Sequence, residues 1–497
     1  MEKNKNNKSF IDLAKRRGFF WQSSEIYGGT SGMFDYGPLG LLLKNKLINK
    51  WRNFFIKQED NVYEIETSLI QPEKVFEASG HLDSFIDPVT QCKKCNSIFR
   101  ADSLIQEKIN EFVEGKSPEE LTKIIKENDI KCPKCKGELR KVKIFNLMLK
   151  TFLSPTEEEK AYLRPETAQG IFIDFKRILV ATRAKLPFGV AQIGSSFRNE
   201  ISPRQFLIRL RAFNQMEVEM FVDTKEINKH PRFGEIEDIK IRILTREAQK
   251  EKGKETTLTA KEAVERGIVP NQYLAYFLAK ENQFYQSIGL PFEAFRFRHM
   301  LPEETPHYSK GNFDLEINFD FGWKEVVGNA YRTDHDLKSH MKKSGVDLTV
   351  TLDDGSKIIP HVVEPSFGIE RTIYSILLYC YKDDKERGWE WFSFPPDIAP
   401  YAAGVFPLVN KDGLQEKAKE VFKLLKKYFD VFYDEKGSIG RRYARADEVG
   451  TPFGVTIDYD TMENNTVTLR YRDTTKQDRV KIEDLVEIIH KKIHSRQ

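Results

Sequence analysis

Between Gly194 and Phe221 the chain reads GSSFRNEISPRQFLIRLRAFNQMEVEMF. In steps of two its second half gives Arg209, Arg211, Phe213, Gln215, Glu217 and Glu219, separated by Leu210, Ala212, Asn214, Met216, Val218 and Met220. A period of two predicts a strand with one mostly apolar face. The other face carries cations, a ring, an amide and carboxylates in a row. The preceding VAQIGSSFRNE is a second strand with Arg198 and Glu200 on one face, and ISPRQFLI is read as the loop between them. Two antiparallel strands so placed present Arg198, Glu200, Arg211, Phe213 and Glu217 to one concave surface. Guanidinium groups suit a phosphate, a ring suits a purine face, and carboxylates suit an ammonium. A charged surface hairpin with cross-strand ion pairs would show the same pattern.

A second block, HVVEPSFGIERTIYSILLYCY, puts Val362, Glu364 and Ser366 on one strand face. Gly368 then opens a helix with the apolar stripe Ile369, Ile373, Ile376, Leu377 and Cys380. Arg371 falls in that helix's first turn, where a cation opposes the macrodipole. It calls for a phosphate or a carboxylate; Glu370 and Asp383 are the nearby acids. A third set is CKKC at Cys92 and Cys95 with CPKC at Cys132 and Cys135. Four thiolates suit a tetrahedral Zn²⁺, although the 36-residue spacer is long for a knuckle pair. Buried thiols or a redox pair are the other readings. No GxxxxGK[ST] loop and no strand–GxGxxG–helix fingerprint occurs, so a nucleotide would have to be held another way.

These residues need elements to position them. EIYGGTSGMFDYGPLG reads as Gly-rich turns, LLLKNKLINKWRNFFIKQE is helical and VYEIETSLIQP extended, ending at Pro72. SPEELTKIIKEN begins a helix with Ser117 as N-cap, Pro118 in the first turn and Glu120 completing a capping box. Thr259 and Glu262 cap another helix, and Gly289 closes NQYLAYFLAKENQFYQSIG. FEAFRFRHM and FDLEINFDFGW are strands. A Pro-rich break near residue 395 precedes about 100 residues of alternating strands and helices, the mark of a separate α/β domain. The expected division is 1–85, 86–145 (zinc-binding insertion), 146–223, 224–290 (helical insertion), 291–394 and 395–497. With 497 residues, 40% hydrophobic, 31% charged and a net charge of +4, the chain reads as a globular protein of several domains. It has no apolar run long enough to span a membrane and no secretory signal, so a cytoplasmic location is expected.

The two blocks resemble motifs 2 and 3 of class II aminoacyl-tRNA synthetases, in the wording of the homodimeric glycyl-tRNA synthetases. EIYGG, FDYGPLG, QPEKVFEASGH, FRAD, LRPETAQGIF, AYRTDHDL and IGRRYARADEVGTPF extend the resemblance over nearly the whole chain. The resemblance implies an α+β fold. Its catalytic domain is an antiparallel sheet with zinc-knuckle and helical insertions, followed by a C-terminal α/β anticodon-binding domain. The helix and strand ending at Pro72 resemble motif 1, a dimer-interface element. It implies activation of glycine by ATP with Mg²⁺, transfer of the glycyl group to tRNA(Gly), a homodimer, and structural Zn²⁺ on the four cysteines.

Site residues follow from the same resemblance. Arg198, Glu200 and Arg371 are the expected catalytic set, with Arg198 on the α-phosphate and Arg371 toward the γ-phosphate. ATP contacts extend to Asn199, to Ile208, Arg209, Leu210, Arg211, Ala212 and Phe213, to Glu325 and Val326, and to Gly368, Ile369 and Glu370. Phe213 is expected to stack on adenine, and Glu325 to meet ATP or Mg²⁺. Glycine contacts are expected from Arg100, Glu166, Phe213, Asn214, Gln215, Met216 and Glu217, and from Glu364, Pro365, Ser366, Phe367 and Gly368. Glu166, Glu217 and Glu364 would surround the ammonium, while Ser366 and Gly368 crowd the α-carbon. In the C-terminal domain, Arg441, Arg442 and Arg445 form a basic cluster that suits phosphates or a solvated helix face. A synthetase for alanine or serine, and a synthetase-like nucleic-acid-binding subunit without catalysis, are the competing readings.

Overall fold

The computed structural model describes residues 3–109, 113, 115–201, 203, 206–305 and 309–494, with side chains from residue 9 onward. Its largest sheet has nine strands. In chain order they are β1 (Val62–Ile65), β2 (Phe188–Phe197), β3 (Ala212–Val222), β4 (Lys240–Leu244), β5 (Thr256–Thr259), β6 (Phe295–His299), β7 (Asn312–Phe319), β8 (Gly322–Thr333) and β9 (His361–Gly368). Across the sheet they run β5-β4-β6-β7-β8-β9-β3-β2-β1. Only β1 with β2 and β4 with β6 are parallel neighbours.

β3 is central, with Glu217 opposite Gln192 on β2 and Ser366 on β9. Its back face, Met216, Val218, Met220 and Val222, joins the main core. Helices α1 (Pro38–Arg52), α3 (Gln272–Ser287) and α5 (Ile369–Cys380) contribute to the same core. On the front face, Phe221 packs with Phe188, Val190 and Val362 beneath α2 (Ala168–Thr182) and α4 (His335–Ser344). Between that apolar end and Phe213 lie Gln215, Glu217 and Glu219. Gln215 and Glu217 therefore form a cavity wall inside the molecule, with Glu219 buried beneath them.

The two strands are shorter than the sequence pattern suggests. β2 stops at Phe197 and β3 starts at Ala212, which places Arg198, Glu200, Arg209 and Arg211 in the connection. The Arg198 N–H donates to the Arg211 carbonyl, and the Glu200 N–H then turns back onto the Arg198 carbonyl (2.7 Å), which ends the ladder. Part of the expected loop, residues 202, 204 and 205, lies outside the described residues.

Residues 224–290 are not a helical insertion. They contain β4 and β5, which extend the main sheet at one edge, and α3, which is buried along most of its length in the main core. The helical pattern of α3 dominates this stretch in sequence, and strands of four or five residues leave little periodicity beside it.

The cysteine-bearing segment has its own three-stranded sheet, made of Ile86–Gln91, Ile98–Arg100 and Lys143–Asn146. Its helix Pro118–Glu127 carries the expected capping box between Ser117 and Glu120. The C-terminal sheet comprises β10 (Ala403–Pro407), β11 (Val431–Tyr433), β12 (Phe453–Ile457), β13 (Thr466–Tyr471) and β14 (Gln477–Lys481), ordered β11-β10-β12-β13-β14. It surrounds a separate core that includes Val405, Leu414, Val455, Leu469 and Leu485. β14 carries no signal in the sequence: QDRVK is mostly exposed, so no alternation marks it. The arginine cluster of this region also divides. Arg442 is buried and donates to the Pro407 and Gly437 carbonyls, Arg445 pairs with Asp434, and Arg441 is exposed. An amphipathic helix over 439–448 turns position 442 inward, so the three do not form one phosphate-facing surface.

Candidate active site

A cavity of about 280 Å³ opens on the front of the nine-stranded sheet, walled by β3, β7, β8, β9, the connection before β3 and the start of α5. Its two ends differ in charge. Arg198 and Arg371 stand at one end. The Arg198 guanidinium lies 5.2 Å from the Phe213 ring centre and 5.3 Å from that of Phe85, and its Nε donates to the Pro165 carbonyl (3.1 Å). Arg371 donates from Nε to the Ile208 carbonyl (3.0 Å) and from Nη1 to the Glu325 carbonyl (2.9 Å). Its ion-pair partner is Glu325, at 3.2 Å, rather than Glu370 or Asp383. Burial alone would raise the Glu325 carboxyl, but Arg371 and Arg198 outweigh it and hold the group below the ordinary range. Glu370 instead accepts from Tyr36 and from the Asn214 side chain and backbone, tying α5 to β3.

The other end is acidic. Glu217 accepts from the Thr167 backbone and hydroxyl on Oε2, and from Gln215 (2.7 Å) and Ser366 (2.5 Å) on Oε1. Glu364 accepts from Arg332 Nη1 at 2.9 Å. Arg332 also makes a two-pronged contact with Asp336, at 2.8 and 2.9 Å. Glu166 accepts from Gln169 and pairs with His81 at 3.4 Å. Burial opposes its ionisation, yet His81 and Arg332 hold Glu166 well below the usual carboxylate range. Burial raises Glu364 to about 7, with Arg332 resisting and Glu217 and Glu166 adding to the rise. One end thus offers fixed cations and the other a carboxylate cage. An anionic phosphate chain and an ammonium can occupy one continuous space.

Of the residues expected at the site, Glu166, Arg198, Glu200, Ile208, Arg209, Leu210, Phe213, Gln215, Glu217, Glu325, Val326, Glu364, Ser366, Gly368, Glu370 and Arg371 line this cavity. The others do not. Met216 and Phe367 alternate to the back face and, with Ile369, belong to the core. Asn214 shares their face and contacts Glu370 there. Pro365 and Ala212 likewise fall outside the cavity wall, where the strand period of two turns them away. Asn199 and Arg211 line a separate groove with Ser31, Ile98 and Lys134, and Arg211 donates to the Glu200 and Ser31 carbonyls. Arg100 pairs with Asp102 and with Asp87 (3.2 Å), and Asp87 in turn faces Arg209 at 3.8 Å. Its link to the cavity therefore runs through two side chains.

Sequence reasoning missed Arg332, Asp336, Thr167, Gln169, His81 and Asp314. Arg332 and Asp336 stand four apart across a strand-to-helix junction, and no single-element period pairs them. The phrases AYRTDHDL, LRPETAQGIF and QPEKVFEASGH pointed to the stretches that hold all of these but Asp314.

The four cysteine sulfurs meet, all within 4.8 Å of one another. Cys92 and Cys135 Sγ are 3.5 Å apart, and Cys95 and Cys132 Sγ 3.7 Å. Tetrahedral zinc with Zn–S bonds of about 2.3 Å requires sulfur separations of about 3.8 Å, so the set fits. The Lys94 and Cys95 N–H groups donate to Cys92 Sγ, as a thiolate needs. Ser97 contacts pull Cys95 down to about 6. A Cβ at Gly137 would sit 2.8 Å from Lys94 Cβ and 3.1 Å from Cys92 Sγ, so only glycine lets the second knuckle close.

Comparison with known proteins follows the same lines. Residues 150–378 match the tRNA synthetase class II core domain (G, H, P, S and T), and residues 402–492 match the anticodon binding domain. The chain is 46% identical to a glycine–tRNA ligase of Pyrococcus abyssi, covering 95% of this chain and 96% of that one. It is 42% identical to that of Methanothermobacter thermautotrophicus, covering 98% and 99%. A solved prolyl-tRNA synthetase from Cryptosporidium parvum shares the fold at a TM-score of 0.57 and 14% identity, covering 98% of this chain and 75% of that one.

Proposed function

The chain belongs to the glycine–tRNA ligase family, and we propose that the cavity on its nine-stranded sheet is where glycine and ATP react. The protein is a glycyl-tRNA synthetase: it activates glycine with ATP and passes the glycyl group to tRNA. The observation that carries the assignment of the cavity is that its wall groups Arg198 and Arg371 around Glu325, and Glu166, Glu217 and Glu364 around Arg332.

In this reading the acidic end holds the glycine ammonium and the arginine end the triphosphate. A glycine carboxylate oxygen attacks the α-phosphorus, the bond to the bridging oxygen breaks, and pyrophosphate leaves. No proton has to move at the attacking atom, so positioning and charge neutralisation do the catalysis. Arg198 faces the α-phosphate; Pro165 and the two rings fix its direction beforehand. Phe213 offers its ring to adenine. Ser366, Glu217, Glu364 and Arg332 line the amino end, where they would crowd any side chain on the α-carbon. Asp314 and Glu325 are the carboxylates that would hold Mg²⁺ at the arginine end, and the ion would supply further neutralisation of the phosphates. Burial and the charge of Glu325 raise Asp314 well above its ordinary value, with Arg298 opposing.

Three further assignments belong to the same reading. Cys92, Cys95, Cys132 and Cys135 would hold Zn²⁺, which would fix the inserted segment. The region after residue 395 binds the anticodon arm of tRNA(Gly). Two copies pair across α1 and the edge strand β1, where Asn45, Asn49, Arg52, Glu64 and Glu66 surround Ile48 and Ile193. An unpaired sheet edge is a natural place for a partner to cover. Sedimentation at micromolar concentration distinguishes dimer from monomer. The function itself is tested by charging: with ATP, Mg²⁺, glycine and tRNA(Gly), one AMP should form per glycyl-tRNA. ADP formation, or charging without glycine dependence, would refute it.

A further inference from the structure

Directly below the acidic end of the cavity stands Glu219, which the reaction just described does not use. It follows Glu217 on the same face of β3, opposite Val190 of β2 and just before Phe221 enters the apolar layer under α2. Its side chain is fully buried, and neither carboxylate oxygen has a hydrogen-bond partner among the described residues. Oxygens of Glu217, Glu219 and Glu364 all lie within 4.8 Å of one another. Three ionised carboxylates cannot share so dry and small a space without compensation. Arg332 is the buried cation beside them, and its contacts include Glu364, Asp336 and, at 4.0 Å, Glu166.

We infer that Glu219 is a positioning residue that stands as the neutral acid and donates its O–H to Glu364, holding that carboxylate against the substrate ammonium. The choice of acceptor follows from occupancy. Glu217 already accepts four hydrogen bonds, two on each oxygen. Glu364 accepts only from Arg332, on Oε2, among the contacts seen for the described residues. The proton converts the nearest like-charge neighbour of Glu364 into a donor. Burial and the charge of Glu364 both push Glu219 well above the ordinary carboxyl range, with Arg332 opposing and Glu217 and Asp336 adding to the rise. The pair then titrates as a unit: one proton leaves near neutrality and the other remains on the Glu219 side. Catalytically, Glu219 touches no substrate. It fixes the direction of a group that does, so its loss falls on glycine binding and not on ATP.

This inference rests on the acidic end being the ammonium site, and the test separates the two. Steady-state pyrophosphate exchange is measured for Glu219→Met, Glu219→Gln and Glu364→Gln, with KM for glycine and for ATP determined separately. Methionine keeps the volume but cannot donate; its glycine KM should rise about tenfold or more with the ATP KM unmoved, the cost of one buried hydrogen bond. Glutamine is neutral and can donate, and should bring the glycine KM back to within about threefold of wild type. Infrared spectra of the whole protein at neutral pH should show a protonated-carboxyl stretch that Glu219→Gln removes. Glutamine as damaging as methionine would overturn the proposal, because an ionised Glu219 would then be required. So would a wild-type glycine KM in Glu219→Met, a missing carboxyl band, or a divalent ion bound in wild type and lost in Glu219→Gln. An unmoved glycine KM in Glu364→Gln would sink the ammonium assignment and with it the positioning role, while the band would still report the proton. If Glu219→Met fails to fold, the glutamine variant and the spectrum decide alone.

Discussion

Each end of the cavity rests on a few side chains, and their loss is separable. Arg198→Ala and Arg371→Ala should each lower pyrophosphate exchange about 100-fold, since a charge-assisted contact to developing charge is worth about 3 kcal/mol. Unchanged secondary structure by circular dichroism should accompany that loss; near-normal exchange would remove both from the phosphate site. Glu364 makes a pH prediction. Its carboxyl is raised to about 7, and an ammonium needs the ionised form. The kcat/KM for glycine should therefore climb with pH through about 7, and Glu364→Gln should abolish that inflection. The sign for stability is the reverse. The folded protein holds this proton up to about 7 while the unfolded chain releases it near 4.5, so the free enzyme loses stability as pH rises across that interval. Saturating glycine should restore it, measured by thermal melts at pH 5 and pH 7.5. At this scale, the acids Glu217 and Glu364 were legible because they alternate along strands, and Arg371 because a cation in a helix's first turn calls for an anion. Arg332 and His81 were not: each reaches the site from a different element, and only the fold brings them to Glu364 and Glu166.

Elements decide which of the expected residues can reach the substrates. The period of two was read correctly along β3, but the sequence does not say where the ladder stops, and the turn at Arg198–Glu200 takes Arg211 out of the cavity. Nor does it show that β4 and β5 extend the sheet, since α3 carries the stronger pattern. The cysteine segment illustrates the consequence. Arg100 lies close to Cys95 in the chain, which suggests that zinc steadies a glycine contact. In the fold Arg100 points to Asp87, and Asp87 to Arg209, which pairs with Glu200. Loss of the metal should therefore disturb the ATP side first. Cys95→Ser should lose zinc by metal analysis and raise the ATP KM more than the glycine KM, by roughly three- to tenfold, the effect of a disturbed supporting contact. A larger effect on glycine would show that Arg100 reaches the substrate after all.

The whole molecule joins two cores through buried contacts. Arg472 donates to the Phe394 and Gly450 carbonyls, Arg387 pairs with Asp447, and Arg17 with Glu448. Ile398 and Ala399 belong to the first core and Ala402 to the second, so the division falls a few residues after the Pro-rich break that marked it in sequence. The break was legible because proline interrupts both periodicities; the docking contacts were not, because each pairs residues distant in the chain. Removing residues 402–497 should leave glycine-dependent exchange within about threefold and abolish most tRNA charging, with a lower Tm from the exposed Phe392 and Phe394. Loss of exchange in a truncated protein that stays soluble would place part of the active site in the C-terminal region. The central claim is that the acidic end accepts an ammonium with no side chain beside it. Pyrophosphate exchange with each amino acid in turn tests this most directly. Glycine should drive exchange at least about 100-fold better in kcat/KM than alanine or serine, because in the proposed pose Ser366, Glu217, Glu364 and Arg332, all in the cavity wall, crowd the α-carbon. Alanine or serine within a few-fold of glycine would contradict the account.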